Sequence, residues 1–158
     1  MSNQLQENLV KGRPDYFWDA LAVGDELRSP GITVTEAHLV QWAGLTGDWV
    51  SLHLDEEYAA KTAFGQRIGH GPLTLSVALG LMTQTGYFSN VIAWLGLEHV
   101  RAVKPVFIGE TIHVQATVTE ARETSKPDAG IWTIDYRVVK QDGSLTMTFS
   151  SSFLIKRR

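Results

Sequence analysis

The sequence predicts an α+β domain in which an antiparallel sheet wraps one long helix, and two stretches carry that reading. From Leu73 to about Tyr87, apolar residues cover nearly every face of a helical projection, so this helix is expected to be buried on most sides. Everything after Phe88 reads as sheet. Ile112, Val114, Ala116 and Val118 alternate with Thr111, His113, Gln115 and Thr117. Trp132, Ile134, Tyr136 and Val138 alternate with polar residues, and so do Leu145, Met147, Phe149, Phe153 and Ile155. One sheet curled around one helix is the simplest cover for a helix that is apolar all round.

The other elements follow in order. Residues 1–15 are mostly polar and read as an extended N-terminal arm, with residues 16–158 as a single domain. The apolar cluster Tyr16, Phe17, Trp18, Leu21 and Val23 is suited to anchor the arm on the body. Gly24-Asp25 signals a turn, and Ile32-Thr33-Val34 a short strand. Thr35 can cap a helix whose inner face is Leu39, Trp42 and Ala43, ending at Gly44 or Gly47. Asp55-Glu56-Glu57 starts another helix, because acidic side chains favour the positive end of the macrodipole, and Phe64-Gly65 stops it. Pro72 fits the first position of the long helix, where its missing N–H would be unpaired in any case. Val91 to Val103 is a less regular strand, Pro105 and Gly109 break the path onward, and Gln141-Asp142-Gly143-Ser144 supplies a hairpin turn.

The totals exclude several classes of function. The chain has 158 residues, a net charge of −3, 44% hydrophobic and 20% charged residues, with both charge signs interspersed. No basic stripe points to nucleic acid. The absence of cysteine removes disulfides, thiolate metal sites and cysteine nucleophiles. No basic-then-apolar leader and no membrane-spanning apolar run is visible, so a cytoplasmic protein without membrane attachment is expected. Neither a Gly-x-Ser-x-Gly elbow nor a phosphate-cradling Gly-x-Gly-x-x-Gly occurs.

The residues able to carry chemistry lie between Thr46 and Ser76. Asp48 and His53 stand five positions apart, a spacing that brings them together only through a turn or a short irregular segment. A carboxylate beside an imidazole can move protons. The alternative is that Asp48 caps a turn and His53 sits at a loop edge. Gly69-His70-Gly71 opens the long helix, and two glycines there suit close backbone approach or positive φ. The free N–H groups of that helix start can meet a developing oxyanion, or the segment is an ordinary loop-to-helix junction. Ser76 is either a polar contact in such a site or a small packing residue. His38, away from the apolar face of its helix, His113, on the polar side of its strand, and His99 attract no role. His53, Asp55 and His70 lack a compact metal-ligand spacing, so no metal is expected.

Taken together, Gly47-Asp48, Leu52-His53-Leu54-Asp55, Ala63-Phe64-Gly65, Ile68-Gly69-His70-Gly71 and Leu75-Ser76 resemble the MaoC-like (R)-specific enoyl-CoA hydratases. Lys104-Pro105-Val106-Phe107-Ile108-Gly109-Glu110 is similar to that family's Arg/Lys-Pro-Val-x-x-Gly-Asp segment. The resemblance runs from Gly24 to Ile155 in order and spacing. It implies a hotdog fold, a homodimer or higher homo-oligomer, and an acyl-CoA thioester substrate in a tunnel near the subunit interface. No cofactor is implied, since CoA belongs to the substrate. By the same resemblance Asp48 and His53 activate the water that adds across a trans-2-enoyl thioester, and the Gly71 N–H holds the thioester oxygen. His70 is expected to matter through the turn it shapes rather than through its side chain. Val50 and Ser51 replace the family's usual Asn-Pro, Trp49 adds bulk, and Pro72 replaces a non-proline residue. Trp42, Trp49, Tyr87 and Trp94 are candidates to bound the acyl group. A thioesterase of the same fold, or a non-catalytic acyl-CoA-binding subunit of a heteromeric hydratase, is the alternative reading.

Overall fold

Four long antiparallel strands dominate the computed structural model, which describes residues 15–158. The expected N-terminal arm therefore lies, apart from Asp15, outside the described residues. The strands are β1 (Glu26–Arg28), β2 (Ile32–Thr33), β3 (Val91–Ala102), β4 (Thr111–Glu123), β5 (Ala129–Lys140) and β6 (Leu145–Lys156). The sheet order is β1-β4-β5-β6-β3, with β2 also on β4. The three alternating runs became β4, β5 and β6, the first two extended by a few residues and the last by one. Their inward side chains, among them Val114, Val118, Trp132, Ile134, Tyr136 and Phe149, form the core. The β5–β6 hairpin turns at Gly143 (φ 82°), with Asp142 Oδ1 accepting from the Ser144 N–H at 2.8 Å.

The helices are α1 (Glu36–Thr46), α2 (Ser51–Leu54), α3 (Glu56–Ala59) and α4 (Gly71–Thr83). Among the described residues, no helix is long and apolar enough to cross a membrane. α4 is the wrapped helix: Leu73, Thr74, Ala78, Leu81 and Met82 face the sheet and are buried. It differs from expectation in two ways. It stops at Thr83 rather than near Tyr87, since Gly86 (φ 88°) turns the chain and Thr85 Oγ1 donates back to the Met82 carbonyl. One stripe of it, Pro72, Ser76, Gly80 and Thr83, stays exposed. These residues are small or polar, so the helix is open along the face its sequence makes least apolar.

The start of the described chain is held by aromatic packing. A 3-10 turn (Trp18–Ala20) lays the Trp18 ring against Gly130 so closely that a Cβ there would overlap it. Trp18 Nε1 donates to the Ile131 carbonyl and Trp132 Nε1 to the Trp18 carbonyl, both at 3.2 Å. Trp18 and Leu21 of the expected cluster thus pack on the body while Val23 is exposed, and the arm that the cluster was expected to anchor lies, apart from Asp15, outside the described residues.

β3 is the exception among the long strands. Its register against β6 shifts three times, and His99 takes a left-handed conformation (φ 54°). Its other edge pairs with no strand among the described residues, and Val91, Ile92, Trp94 and Leu95 are exposed on it. A long apolar edge of this kind is a template for another strand.

Candidate functional site

Two segments converge at the N-terminus of α4. The first begins where α1 ends. Thr35 starts that helix with its N–H donating to Nδ1 of His38 at 2.9 Å, so His38 takes the place of the usual acidic partner in a capping box. Gly47 ends it in the left-handed region (φ 76°), its N–H donating to the Ala43 carbonyl at 2.8 Å. That turn presents Asp48. α2 then forms a single helical turn, in which the His53 N–H donates to the Val50 carbonyl at 3.0 Å. This turn shortens the five-residue separation and sets His53 beside Asp48. Val50 (φ −58°, ψ 128°) adopts the extended conformation that a residue before proline takes, and Ser51 is the first helical residue, where proline is favoured. Ser51 thus keeps the turn geometry that a proline would impose. Asp55 belongs to the next element: its Oδ1 accepts from the Tyr58 N–H at 2.9 Å as the cap of α3.

The second segment is Ile68-Gly69-His70-Gly71. The Gly69 N–H donates to the Val106 carbonyl at 2.7 Å, and Ile68 bridges Phe107. A Cβ on Gly69 would sit 3.4 Å from that carbonyl oxygen, so this glycine serves close approach; neither it nor Gly71 has positive φ. The Lys104–Glu110 motif is therefore a brace. Val103 and Lys104 N–H groups donate to the Thr146 carbonyl, and Glu110 Oε2 accepts from the Phe107 N–H at 2.8 Å. Glu110 also pairs with the nearly buried Lys140 at 2.7 Å. Arg67 ties the same region to the helices, reaching Glu36 and Glu56 at 2.7 Å each. Sequence inspection passed over Arg67 and Lys140, because their partners are distant along the chain.

Asp48, His53 and His70 each offer a ligand or proton-transfer atom within 4.8 Å of the others. His53 Nδ1 lies 2.7 Å from the Ile68 carbonyl oxygen. A carbonyl only accepts, so Nδ1 carries the hydrogen and Nε2 is left with its lone pair. The Asp48 carboxylate makes no hydrogen bond or ion pair among the described residues; its backbone N–H contacts Thr46 Oγ1 at 3.3 Å. A water held at about 2.8 Å from each of two groups bridges a gap of about 5.6 Å or less, so the cluster is spaced for one.

The His70 side chain corrects the expectation that only its backbone matters. It is completely buried. Nε2 lies 3.1 Å from the Asp48 carbonyl oxygen, and the ring stacks on His53 with centroids 3.9 Å apart. By the same argument as for His53, Nε2 carries the hydrogen. Nδ1 is then a buried acceptor, and it has no partner among the described residues. A buried unpaired acceptor costs about 1–3 kcal/mol. One nitrogen of each ring is committed to a carbonyl, which leaves His53 Nε2 and the Asp48 carboxylate as the groups placed for proton transfer.

Of these three, His53 borders a cavity of about 280 Å3, lined also by Ile68, Gly71, Thr74, Lys104 and Met147 among others. Gly71 opens α4, and its N–H makes no hydrogen bond within the described chain. Thr74, one helical turn after His70 and facing inward, was missed by sequence reasoning; its Oγ1 donates to the His70 carbonyl at 3.3 Å. Ser76 is not in the cavity lining. It projects from the exposed stripe, because two residues along a helix turn the side chain by about 200°. Of the four aromatic candidates, Trp94 lines a second, more apolar cavity of about 170 Å3 with Leu79, Phe88, Tyr136 and Phe153. Trp42 packs on the core, Tyr87 stacks on Tyr16, and Trp49 is exposed.

Burial holds the His70 imidazole below the ordinary histidine value, with the neighbouring His53 adding to the effect. His113 is lowered too, first by burial and then by Arg28. A depressed folded-state pKa means that the unfolded chain binds more protons below about pH 6.5. Stability is therefore expected to be complete above that pH and to fall as the pH drops toward the folded-state values. The slope is at most about 1.4 kcal/mol per pH unit from each group. Urea midpoints at pH 7.5 and 5.5 measure this, and His70→Gln is expected to remove the His70 share.

The MaoC-like domain profile matches residues 20–138. The chain is 39% identical over 114 residues to Protein MaoC of Klebsiella aerogenes, covering 72% of this chain but only 33% of that one. It thus spans a third of that relative's length. It is 36% identical over 112 residues to the (R)-specific enoyl-CoA hydratase of Aeromonas caviae, covering 71% of this chain and 79% of that enzyme. Among solved structures, a Mycobacterium tuberculosis protein described as a double hotdog fold superposes with a TM-score of 0.83 at 21% identity, covering 91% of this chain and 45% of that one. The sheet wrapped around α4 is a hotdog fold.

Proposed function

Since the chain belongs to the MaoC-like domain family, whose members include hydratases and dehydratases of acyl-CoA thioesters, we propose that it is a hydro-lyase. The reaction is reversible hydration of a trans-2-enoyl-CoA to a (R)-3-hydroxyacyl-CoA. The observation that carries this reading is the free Nε2 lone pair of His53 beside the Asp48 carboxylate, on a cavity that also contains the Gly71 N–H.

The water lies between Asp48 and His53. His53 Nε2 takes one of its protons, the Asp48 carboxylate accepts a hydrogen bond from the other, and the oxygen forms its bond to C3. The electron pair of the C2–C3 double bond moves into the thioester as an enolate. Its oxygen meets the unpaired Gly71 N–H at the positive end of α4, where charge is stabilised as it develops. The imidazolium then returns its proton to C2. One water has been added and both residues are restored. All the groups come from the chain, so the proposal needs no cofactor or metal.

A panel of trans-2-enoyl-CoA thioesters, followed by loss of the conjugated double bond's absorbance, tests this. Hydration consumes that band without releasing free CoA thiol. Thiol release in its place would identify a thioesterase, and no change with any member of the panel would overturn the proposal.

We also propose a homodimer formed through β3. Its apolar edge pairs with no strand among the described residues, and two copies related by a two-fold axis would pair the strands antiparallel into one continuous sheet. Sedimentation is expected to give twice the chain mass for the wild type and a smaller species for Leu95→Glu. A monomeric wild type would refute it.

A further inference from the structure

One feature is unexplained by either role above: a completely buried histidine that touches both reacting residues but does not point its free nitrogen at any partner. We propose that His70 is a positioning residue, whose neutral ring fixes Asp48 through its main chain and His53 through its ring face. The inference rests on the hydratase reading of the site and assigns the residue that makes the site rigid.

Three observations carry it. The Nε2–H donates to the Asp48 carbonyl at 3.1 Å, so the turn that presents the carboxylate is tied to the residue preceding Gly71. The ring lies 3.9 Å from the His53 ring at an interplanar angle of 30°, which restricts His53 to the rotamer in which Nδ1 reaches the Ile68 carbonyl. Nδ1 is buried without a partner among the described residues, a cost that an apolar ring of similar shape would avoid. A buried polar group that stability disfavours, held between two reactive side chains, is the kind of local conflict found at functional sites. The position also sets a third group. His70 is the N-cap of α4, its carbonyl accepts from the Thr74 N–H at 3.1 Å, and Gly71 is the next residue. One side chain therefore fixes the relative placement of the carboxylate, the base and the oxyanion donor. It stays neutral, because a proton on Nδ1 would be a buried charge with no counterpart.

Two variants separate its two contacts. His70→Gln keeps an N–H donor at the reach of Nε2 but removes the ring. His70→Phe keeps a ring but removes the donor and the orphaned acceptor together. Each is expected to lower kcat on a four-carbon trans-2-enoyl-CoA by about 10–100-fold, with KM changed less than about threefold, since a displacement of about 1 Å at a reacting group costs that order of rate. His70→Phe is expected to melt no lower than wild type, which a merely structural histidine would not allow alongside a loss of kcat. Imidazole NMR supplies a readout that needs no turnover. The His53 ring signals are expected to move in His70→Gln, where the stacked ring is gone, and to move less in His70→Phe.

Wild-type kcat in both variants, or losses that only track loss of folded protein, would overturn the inference. Unmoved His53 signals in His70→Gln would do so whether or not any thioester is turned over. Asp48→Asn in the same assay separates the two proposals. If it is inactive while the His70 variants are fully active, the positioning role fails and the hydratase reading stands. If it keeps full rate, the hydratase reading itself fails.

Discussion

Asp48→Asn and His53→Ala are each expected to lower kcat by about 10²–10⁴, the range that a positioned acid or base contributes. The Asn side chain has the shape of the carboxylate, and Asp48 makes no side-chain hydrogen bond or ion pair among the described residues. The turn at Gly47 and the His70 contact both use the Asp48 main chain, so the variant keeps them. What changes is charge: a neutral amide presents hydrogens as well as an oxygen and no longer favours the imidazolium that forms beside it. His53→Ala removes the only free imidazole lone pair in the cluster that faces the cavity. It also frees the Ile68 carbonyl and unstacks His70, so a small loss of stability is expected with it. KM is expected to change little in Asp48→Asn, because the substrate is held mainly by the cavity and the helix N-terminus. The two residues act on one water, so the double variant is expected to be scarcely worse than His53→Ala alone. Steady-state kinetics on the best thioester of the panel, with thermal melts as the control, measures this. Full rate in either single variant would remove the proposed water activation.

The parts of this molecule that were legible in its sequence are those governed by local periodicity. β4, β6 and the middle of β5 alternate because one face is buried and the other is not, and a period of two records that directly, although both ends of β5 are buried on both faces. β3 was less regular in sequence, and it proved to be the strand with three register shifts and with an edge unpaired among the described residues. The convergence of Asp48 and His53 was legible only as a possibility. Spacing left a capped turn open, and the answer depended on α2, a four-residue helix too short to leave a periodic signature. The exposed stripe of α4 was overlooked for a related reason. Pro72, Ser76, Gly80 and Thr83 interrupt the apolar surface one helical turn at a time, a weak signal beside the eight apolar residues from Leu73 to Tyr87.

His70 shows why side-chain roles are harder to read than elements. Flanked by two glycines, it read as the residue that shapes a turn, and the glycines drew attention to the backbone. Its partners are Asp48, 22 residues earlier, and His53, 17 earlier, and no local rule connects them. The Lys104–Glu110 brace is similar. Its sequence was recognisable, but its purpose, to hold Gly69 by the Val106 carbonyl and so fix the height of the α4 N-terminus, appears only once β3, β4 and the loop are assembled. A site built from four segments is specified by tertiary contacts, and the sequence marks its members without marking how they meet.

Gly71→Ala is expected to reduce kcat/KM by about 10²–10³ while leaving the fold intact, and the contrast makes it the sharper test of the oxyanion site. Gly71 does not have positive φ, so alanine carries no backbone strain there. A Cβ built on it meets no protein atom within 4 Å. Alanine is also the better helix former, so the melting temperature is expected to stay level or rise slightly. Yet Gly71 lines the cavity beside His53, and the space its side chain lacks is where the thioester oxygen must approach to reach the N–H. A methyl group there leaves the donor chemically present but holds the oxygen away from it. Hydrogen-bond stabilisation of an oxyanion falls steeply with distance and angle, and loss of one such donor costs about that factor. A structural role for the glycine predicts a lower melting temperature and proportionate activity; the site predicted here gives an equal or higher melting temperature and little activity. An active Gly71→Ala would move the thioester oxygen elsewhere, to the Leu73 N–H one step along the same helix turn, and would leave the Asp48 and His53 roles to stand on their own variants.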